Sequence, residues 1–176
     1  MRLLNFSEIM DRIEKLEEAN LRAAALKFKI FTHLGKTPRT SKFIANKAKL
    51  DPEGASALLD ALCAMKVLIK KNNKYKNSSE SFKYLCESSK DFKKGTVFLK
   101  QDMREEWSGL LEVLKNGRNL EEFEGEDDAN YRELFTHAMH ERSENYSKPL
   151  AKIVARKSVG KLLDVGGGLG RIPQRF

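Results

Sequence analysis

An apolar strand that runs straight into a string of glycines is the strongest constraint on what this chain can fold into. Lys161-Leu162-Leu163-Asp164-Val165 reads as a short strand of the buried type, and Gly166-Gly167-Gly168-Leu169-Gly170 follows without a spacer. Glycines permit a tight turn and let a ligand approach the backbone, while a helix after such a loop presents free N–H groups. That is the arrangement at the carboxyl end of a parallel strand, where nucleotide-type ligands bind. A glycine string alone would be a weak signal. Asp164, two residues before the first glycine, the apolar strand and the largely helical sequence ahead of it sharpen it.

Most of what precedes is helical in pattern. Ser7 is read as the N-cap of a long first helix running towards Leu34. Ile9, Ile13, Leu16, Asn20, Ala23, Leu26 and Ile30 recur at three- and four-residue steps, and Leu21, Ala24, Ala25 and Phe28 widen that face. Gly35 ends it. Ser41 is read as the cap of a short helix with Phe43, Ile44, Ala45 and Ala48 inward. Asp51-Pro52 opens another, with Ala55, Leu58, Leu59, Leu62 and Met65 on one face. Val67-Leu68-Ile69, Asn72-Asn73 and Lys74-Tyr75-Lys76 then give a strand, a tight turn and a return strand. Three helices followed by a hairpin is the order of a winged helix.

From Phe82 to Leu120 the pattern is helical again, with Phe92, Val97, Phe98, Trp107, Leu110, Leu111 and Leu114 as core candidates and Asn116-Gly117 as the stop. The acidic run Glu121 to Asp128 reads as a solvated loop rather than a metal site. Tyr131 to Val154 reads as an amphipathic helix, broken or kinked at Pro149.

Composition narrows the class. No stretch approaches the roughly 20 apolar residues of a membrane span, and Met1 to Phe6 leads directly into charged helical sequence rather than a secretory leader. A cytoplasmic protein is expected. Cys63 and Cys86 lie on apolar segments without ligand spacing, so buried thiols are expected, not a disulfide or a metal site. The 33 Lys+Arg against 25 Asp+Glu give +8 and a pI near 9.4, which raises nucleic acid as a partner. The charge is spread over most segments, however, and reads first as a solvated surface.

The chain resembles the S-adenosylmethionine-dependent O-methyltransferases of the caffeate and acetylserotonin type, over essentially its whole length. The resemblance rests on the strand and glycine loop from Leu162 to Gly170, on their place behind a winged-helix-like domain, and on Phe135-x-x-x-Met139-x-x-x-Ser143. It implies a mainly α chain: a winged-helix-like dimerisation domain with a small β-hairpin, then the truncated start of a Rossmann-like α/β domain. The implied boundaries are 1–120 for the helical domain, 121–160 for connecting helices and 161–176 for the first strand and loop. Phe135 and Met139 would line the acceptor pocket. Ser143, Asp164, Gly166, Gly168 and Gly170 would serve S-adenosylmethionine, with Asp164 facing its amino group. The same triplet at i, i+4 and i+8 is also what an ordinary core face of a helix looks like.

In relatives of this type an acidic residue about 20 positions on binds the ribose, and a downstream histidine acts as general base. The sequence runs six residues past Gly170, and His33, His137 and His140 do not match that histidine. No catalytic residue is therefore assigned, and this chain alone is expected to bind the cofactor weakly and to transfer no methyl group. A homodimer, a small-molecule hydroxyl acceptor and no specific nucleic acid or membrane are the expected partners. The alternative is a winged-helix DNA-binding regulator, with Lys66, Lys70, Lys71, Lys74 and Lys76 on or beside the wing. Against it, Glu53 and Asp60 on the helix before the wing would repel DNA. A third reading, a module that regulates a longer relative through mixed dimers, finds nothing in the sequence for or against it.

Overall fold

The computed structural model describes residues 2–117 and 129–154, the positions 163, 165, 166 and 169, and only the backbone at 101–106. The chain divides into two compact units, Met1–Phe92 and Lys93–Phe176.

The first unit starts with α1 (Phe6–Lys27), and its N-cap is Asn5, not Ser7. The Glu8 N–H donates to Asn5 Oδ1 (3.0 Å) and the Asn5 N–H to Glu8 Oε2 (2.9 Å), so two orphan donors are satisfied reciprocally. Nor does this helix continue to Leu34. It stops at Phe28, Lys29 turns left-handed (φ 51°), and a separate α2 (Ile30–Leu34) follows. The reason is geometric. At 100° per residue, Ala25 and Ile30 on one straight helix would point about 140° apart. The left-handed residue lets both be fully buried, together with Phe31 and Leu34. Gly35 (φ 54°) ends α2 as its sequence position suggests.

Thr40, one residue ahead of Ser41, caps α3 (Ser41–Ala48) by accepting from the Phe43 N–H. Asp51 caps α4 (Pro52–Ala64) by accepting from the Gly54 N–H at 2.8 Å. Its apolar stripe packs as expected: Ala55, Leu59 and Leu62 are buried and Leu58 and Met65 half-buried. Strands β1 (Leu68–Lys71) and β2 (Lys74–Asn77) pair antiparallel with Lys71 opposite Lys74. Asn72 and Asn73 both have positive φ, as a two-residue hairpin turn of this hand demands. Arg39 bridges the free edge of β2 through two backbone bonds to Tyr75.

Helix α5 (Ser79–Leu85) closes the unit. Just before it, the Asn77 amide donates to the carbonyls of Phe31 (2.8 Å) and Gly35 (2.9 Å), and so ties the end of α2 to the hairpin. Ser81, buried, donates its hydroxyl to the Val67 carbonyl at 2.7 Å.

The second unit holds α6 (Lys94–Ser108), α7 (Leu110–Asn116), α8 (Ala129–Arg142) and α9 (Glu144–Val154). Helix α6 packs on α8, through buried Leu99, Leu134 and Ala138. Trp107, Leu110, Leu111 and Leu114, expected in the core, are exposed instead, Trp107 by 64%. They continue an apolar face past the stretch of α6 that α8 covers, and no described residue covers it. The helix is not broken at Pro149, which lies inside α9. The break falls at Ser143, whose carbonyl accepts from the Tyr146 and Ser147 N–H groups and so starts α9. Pro149 and Asn145, four residues before it, are both exposed on α9, and the proline has no N–H to give the Asn145 carbonyl. The acidic run at 121–128 lies outside the described residues.

Leu59→Ala should lower unfolding stability by ~2–5 kcal/mol through the cavity it leaves. Asn77→Ala should cost ~1–3 kcal/mol, because the Gly35 carbonyl loses its Asn77 donor, while the Phe31 carbonyl keeps the Gly35 N–H. Urea melts of the variants check both.

Candidate functional site

Helix α8 carries the residues expected at the acceptor and cofactor. Phe135 and Met139 follow each other at a spacing of four, and Ser143 comes just past the helix end. Phe135 is 42% exposed, its ring stacked on Tyr131 at 6.2 Å between centroids. Tyr131 in turn meets Phe98 of α6 edge-on at 6.5 Å. Met139 is half-buried. An α8 face therefore begins on exposed aromatic surface and ends at a hydroxyl.

That hydroxyl is occupied. Ser143 Oγ donates to the His140 carbonyl in the last turn of α8 at 2.7 Å. To donate to a ligand, it must leave that carbonyl. Of the glycine loop, Gly166 has φ 80°, a conformation side-chain-bearing residues avoid, and nothing stands within 4 Å of where a Cβ would lie. Leu163 and Val165 are more than four-fifths exposed and carry no strand. Asp164, Gly168 and Gly170 lie outside the described residues. The structure thus brings Phe135, Met139 and Ser143 onto one helix and its end, and leaves the remainder of the expected site undescribed.

Tyr131 and Phe98 were not singled out as site residues from the sequence. The Tyr131/Phe135 pair at i, i+4 was a visible signal for the first. Nothing local in the sequence pairs Phe98 with it.

The basic hairpin is the second candidate. Of Lys66, Lys70, Lys71, Lys74 and Lys76, Lys70 has a carboxylate partner among the described residues: Nζ donates to Asp60 Oδ1 at 2.6 Å. The Tyr75 hydroxyl donates to the same oxygen at 2.9 Å. These two hydrogen bonds, Lys70 first, hold the Asp60 carboxyl below its ordinary value of 3.8. The same bond raises the Lys70 ammonium, so this lysine stays charged and internally paired. Glu53 and Asp60 are both exposed on α4, ahead of the hairpin, and Asp60 is the one bonded to Lys70. Cys63, one turn on from Asp60, is a free, half-buried thiol that burial and then the Asp60 charge push up, and it is a poor nucleophile. Cys86 is free and buried. Among the described residues no group of three or more His, Cys, Asp or Glu is placed to hold a metal, and no helix is long and apolar enough to cross a membrane.

No family profile matches the sequence. A curated relative, the N,N-dimethyltransferase OxyT of Streptomyces rimosus, is 25% identical over 165 residues, covering 86% of this chain and 47% of the relative. Among solved structures, an O-methyltransferase family protein from Burkholderia thailandensis superposes with a TM-score of 0.79 at 23% identity, over 99% of this chain and 54% of that one. Human N-acetylserotonin methyltransferase, in complex with SAM, superposes with a TM-score of 0.70 at 19% identity, over 99% of this chain and 56% of that one. The chain therefore has a methyltransferase-type fold, helical with a small two-stranded sheet. More particularly, it is the amino-terminal region of the O-methyltransferase family proteins that this fold matches. The chain spans about half the length of the proteins it matches.

The depressed Asp60 carboxyl has a pH consequence. A group whose folded-state value lies below its unfolded one stabilises fully above the unfolded value and loses that contribution as pH falls through the folded one. Asp60→Asn should therefore lower the melting temperature at pH 7 and flatten the acid limb below 3.8. Calorimetric scans across that range check it.

Proposed function

We propose that this chain is the amino-terminal part of an S-adenosylmethionine-dependent methyltransferase acting on a small-molecule hydroxyl, and that it supplies dimerisation, an acceptor-lining helix and one corner of the cofactor site. The observation that carries the reading is the superposition of 99% of the chain on a protein of this type. The α8 face, with apolar Phe135 and Met139 leading to Ser143, supports it from the residues. OxyT is an N,N-dimethyltransferase. An amine acceptor is thus the nearest variant of the same reading.

Bound to the site, the cofactor would supply an electrophilic methyl group on its sulfonium. The residues of this chain would orient rather than activate. Phe135 and Met139 would hold the apolar body of the acceptor and exclude water from it, an effect of proximity and orientation. Ser143 would turn from the His140 carbonyl to donate to the cofactor carboxylate. Gly166 fits its role, since its left-handed turn and open surroundings let a ligand approach the backbone. Asp164 would face the cofactor amino group. No general base is assigned to this chain.

Dimerisation is read from two apolar faces. Phe6, Ile9, Ile13 and Leu16 on α1, and Trp107, Leu111 and Leu114 on α6 and α7, are exposed, more than scattered surface hydrophobics account for. The helices and hairpin of the first unit would serve as a winged-helix-like scaffold. A DNA-binding regulator is the weaker reading, because Lys70 is internally paired and α4 shows carboxylates.

Light scattering should give a dimer at micromolar concentration, and Leu16→Glu should shift it towards monomer; a clean monomer for the unaltered chain counts against the dimer. Calorimetric titration with S-adenosylmethionine should show no saturable heat at micromolar cofactor for the 176-residue chain. A fusion to the carboxyl-terminal half of the Burkholderia protein should bind, and Gly166→Val should abolish that binding. A fusion that folds without binding the cofactor, or a sequence-specific complex of the chain with duplex DNA at physiological salt, overturns the reading.

A further inference from the structure

The start of α6 is built around another helix. Gly95, in its first turn, is buried against α8. A Cβ placed there would lie 2.3 Å from the Ala138 backbone nitrogen and 2.8 Å from its Cα, inside the 3.0 Å that real side chains respect. Both obstructing atoms are backbone, so no rotamer change could relieve the clash. The two helices therefore cross in direct backbone contact, with glycine on one side and a fully buried alanine on the other.

The capping of α6 comes from the same neighbour. The Lys93 carbonyl accepts the first helical bond, from the Val97 N–H, which puts a lysine at the N-cap. Lysine has three donors and no acceptor, so it cannot satisfy the first-turn N–H groups. Glu141 of α8 does so instead: Oε2 accepts from the Thr96 N–H at 2.9 Å and Oε1 from the Gly95 N–H at 3.3 Å. A carboxylate at a helix N-terminus is also favoured by the helix dipole. Lys93 turns its ammonium to Glu144 at 2.6 Å, the first residue of α9. Three points at 138, 141 and 144 thus pin α8 and the break after it to one end of α6. They alternate along the chain with Phe135, Met139 and Ser143.

We propose that Gly95 and Glu141 are positioning residues for the Phe135, Met139 and Ser143 face, a role that rests on the function proposed above. Helix side chains reach roughly 5–6 Å from the axis, so a roll of about 20° moves a side-chain tip by about 2 Å. Displacements of about 1 Å can cost ~10²-fold in rate at a site that works by orientation. The backbone contact at Gly95 fixes how closely α8 approaches α6. The two bonds to Glu141, one turn on, fix its rotation and its shift along the axis.

The test uses methyl-labelled methionine and amide NMR on the full 176-residue chain, with no ligand present, so its outcome does not depend on cofactor binding. Glu141→Ala should move the Gly95 and Thr96 amide resonances and the Met139 methyl resonance, and leave the Met65 methyl unmoved. Glu141→Gln, which keeps an acceptor at the same reach, should restore the Met139 position. Gly95→Ala should move the Met139 methyl further than Glu141→Ala does. If Gly95→Ala does not fold, the Glu141 pair decides alone. A Met139 methyl that stays in place while the Gly95 and Thr96 amides show the cap lost overturns the proposal. So does a Met65 methyl that moves equally, since that would mark a general loss of structure. Should the Met139 response appear while the fusion protein binds no cofactor, the clamp stands and the reading of its purpose falls.

Discussion

The first unit depends on one left-handed residue. With Lys29 at φ 51°, the chain reverses enough for Ala25, Ile30, Phe31 and Leu34 all to enter one core. A straight helix could not do this, and the core of α3, α4 and the hairpin is assembled around that plug. Left-handed backbone is costly for a residue with a Cβ. The burial of three large side chains, each contributing ~1.5–3 kcal/mol when fully removed from water, outweighs it. The short α2 that results would be unstable alone. Asn77 ties its end to the hairpin by donating to the Gly35 carbonyl and, beside the Gly35 N–H, to the Phe31 carbonyl.

The second unit uses the opposite device. No large plug appears among its described residues; close approach replaces bulk. Gly95 and Ala138 remove side chains from the crossing, and Glu141 supplies the cap that Lys93 lacks. A contact made by backbone is stiff, because it has no rotamers through which to yield. Such stiffness suits a helix whose outward residues must present a fixed surface, whereas the hairpin of the first unit holds Lys70 in an ion pair with Asp60.

Much of the first unit was legible in the sequence because its signals are local. Asp51-Pro52, Gly35 and Asn72-Asn73 each punctuate the chain through their own backbone chemistry, and the α4 stripe follows from period alone. The errors share a cause. Asn5 and Ser7, and Thr40 and Ser41, each offer a side-chain oxygen near a first-turn N–H; the Asn5-x-x-Glu8 box is the local pattern that favours Asn5, and geometry alone favours Thr40. Periodicity also cannot say which apolar face finds a partner, so Trp107 and Leu114 read as core. The clamp at Glu141 depends on residues over 40 positions apart in sequence, and no local pattern encodes it. Phe135, Met139 and Ser143 were marked by the family resemblance, since their spacing alone equally describes a core face, and no pattern in the sequence shows that Ser143 Oγ is bonded to the His140 carbonyl.

That occupied state bears on how a ligand would be received. The bond from Ser143 to the His140 carbonyl is neutral, and such bonds contribute ~0.5–1.5 kcal/mol net, against ~1.5–3 kcal/mol for bonds to a charged group. A carboxylate arriving at the hydroxyl would therefore win the proton. The His140 carbonyl would be released at the end of α8, beside the break where the helix is already interrupted. The gain to the ligand is the difference between the two bonds, of order 1 kcal/mol, not the whole of the second. Ser143 would accordingly act as a selector for negative charge more than as a source of affinity. The direction of its swing would be set by the same helix end that Glu141 holds against α6.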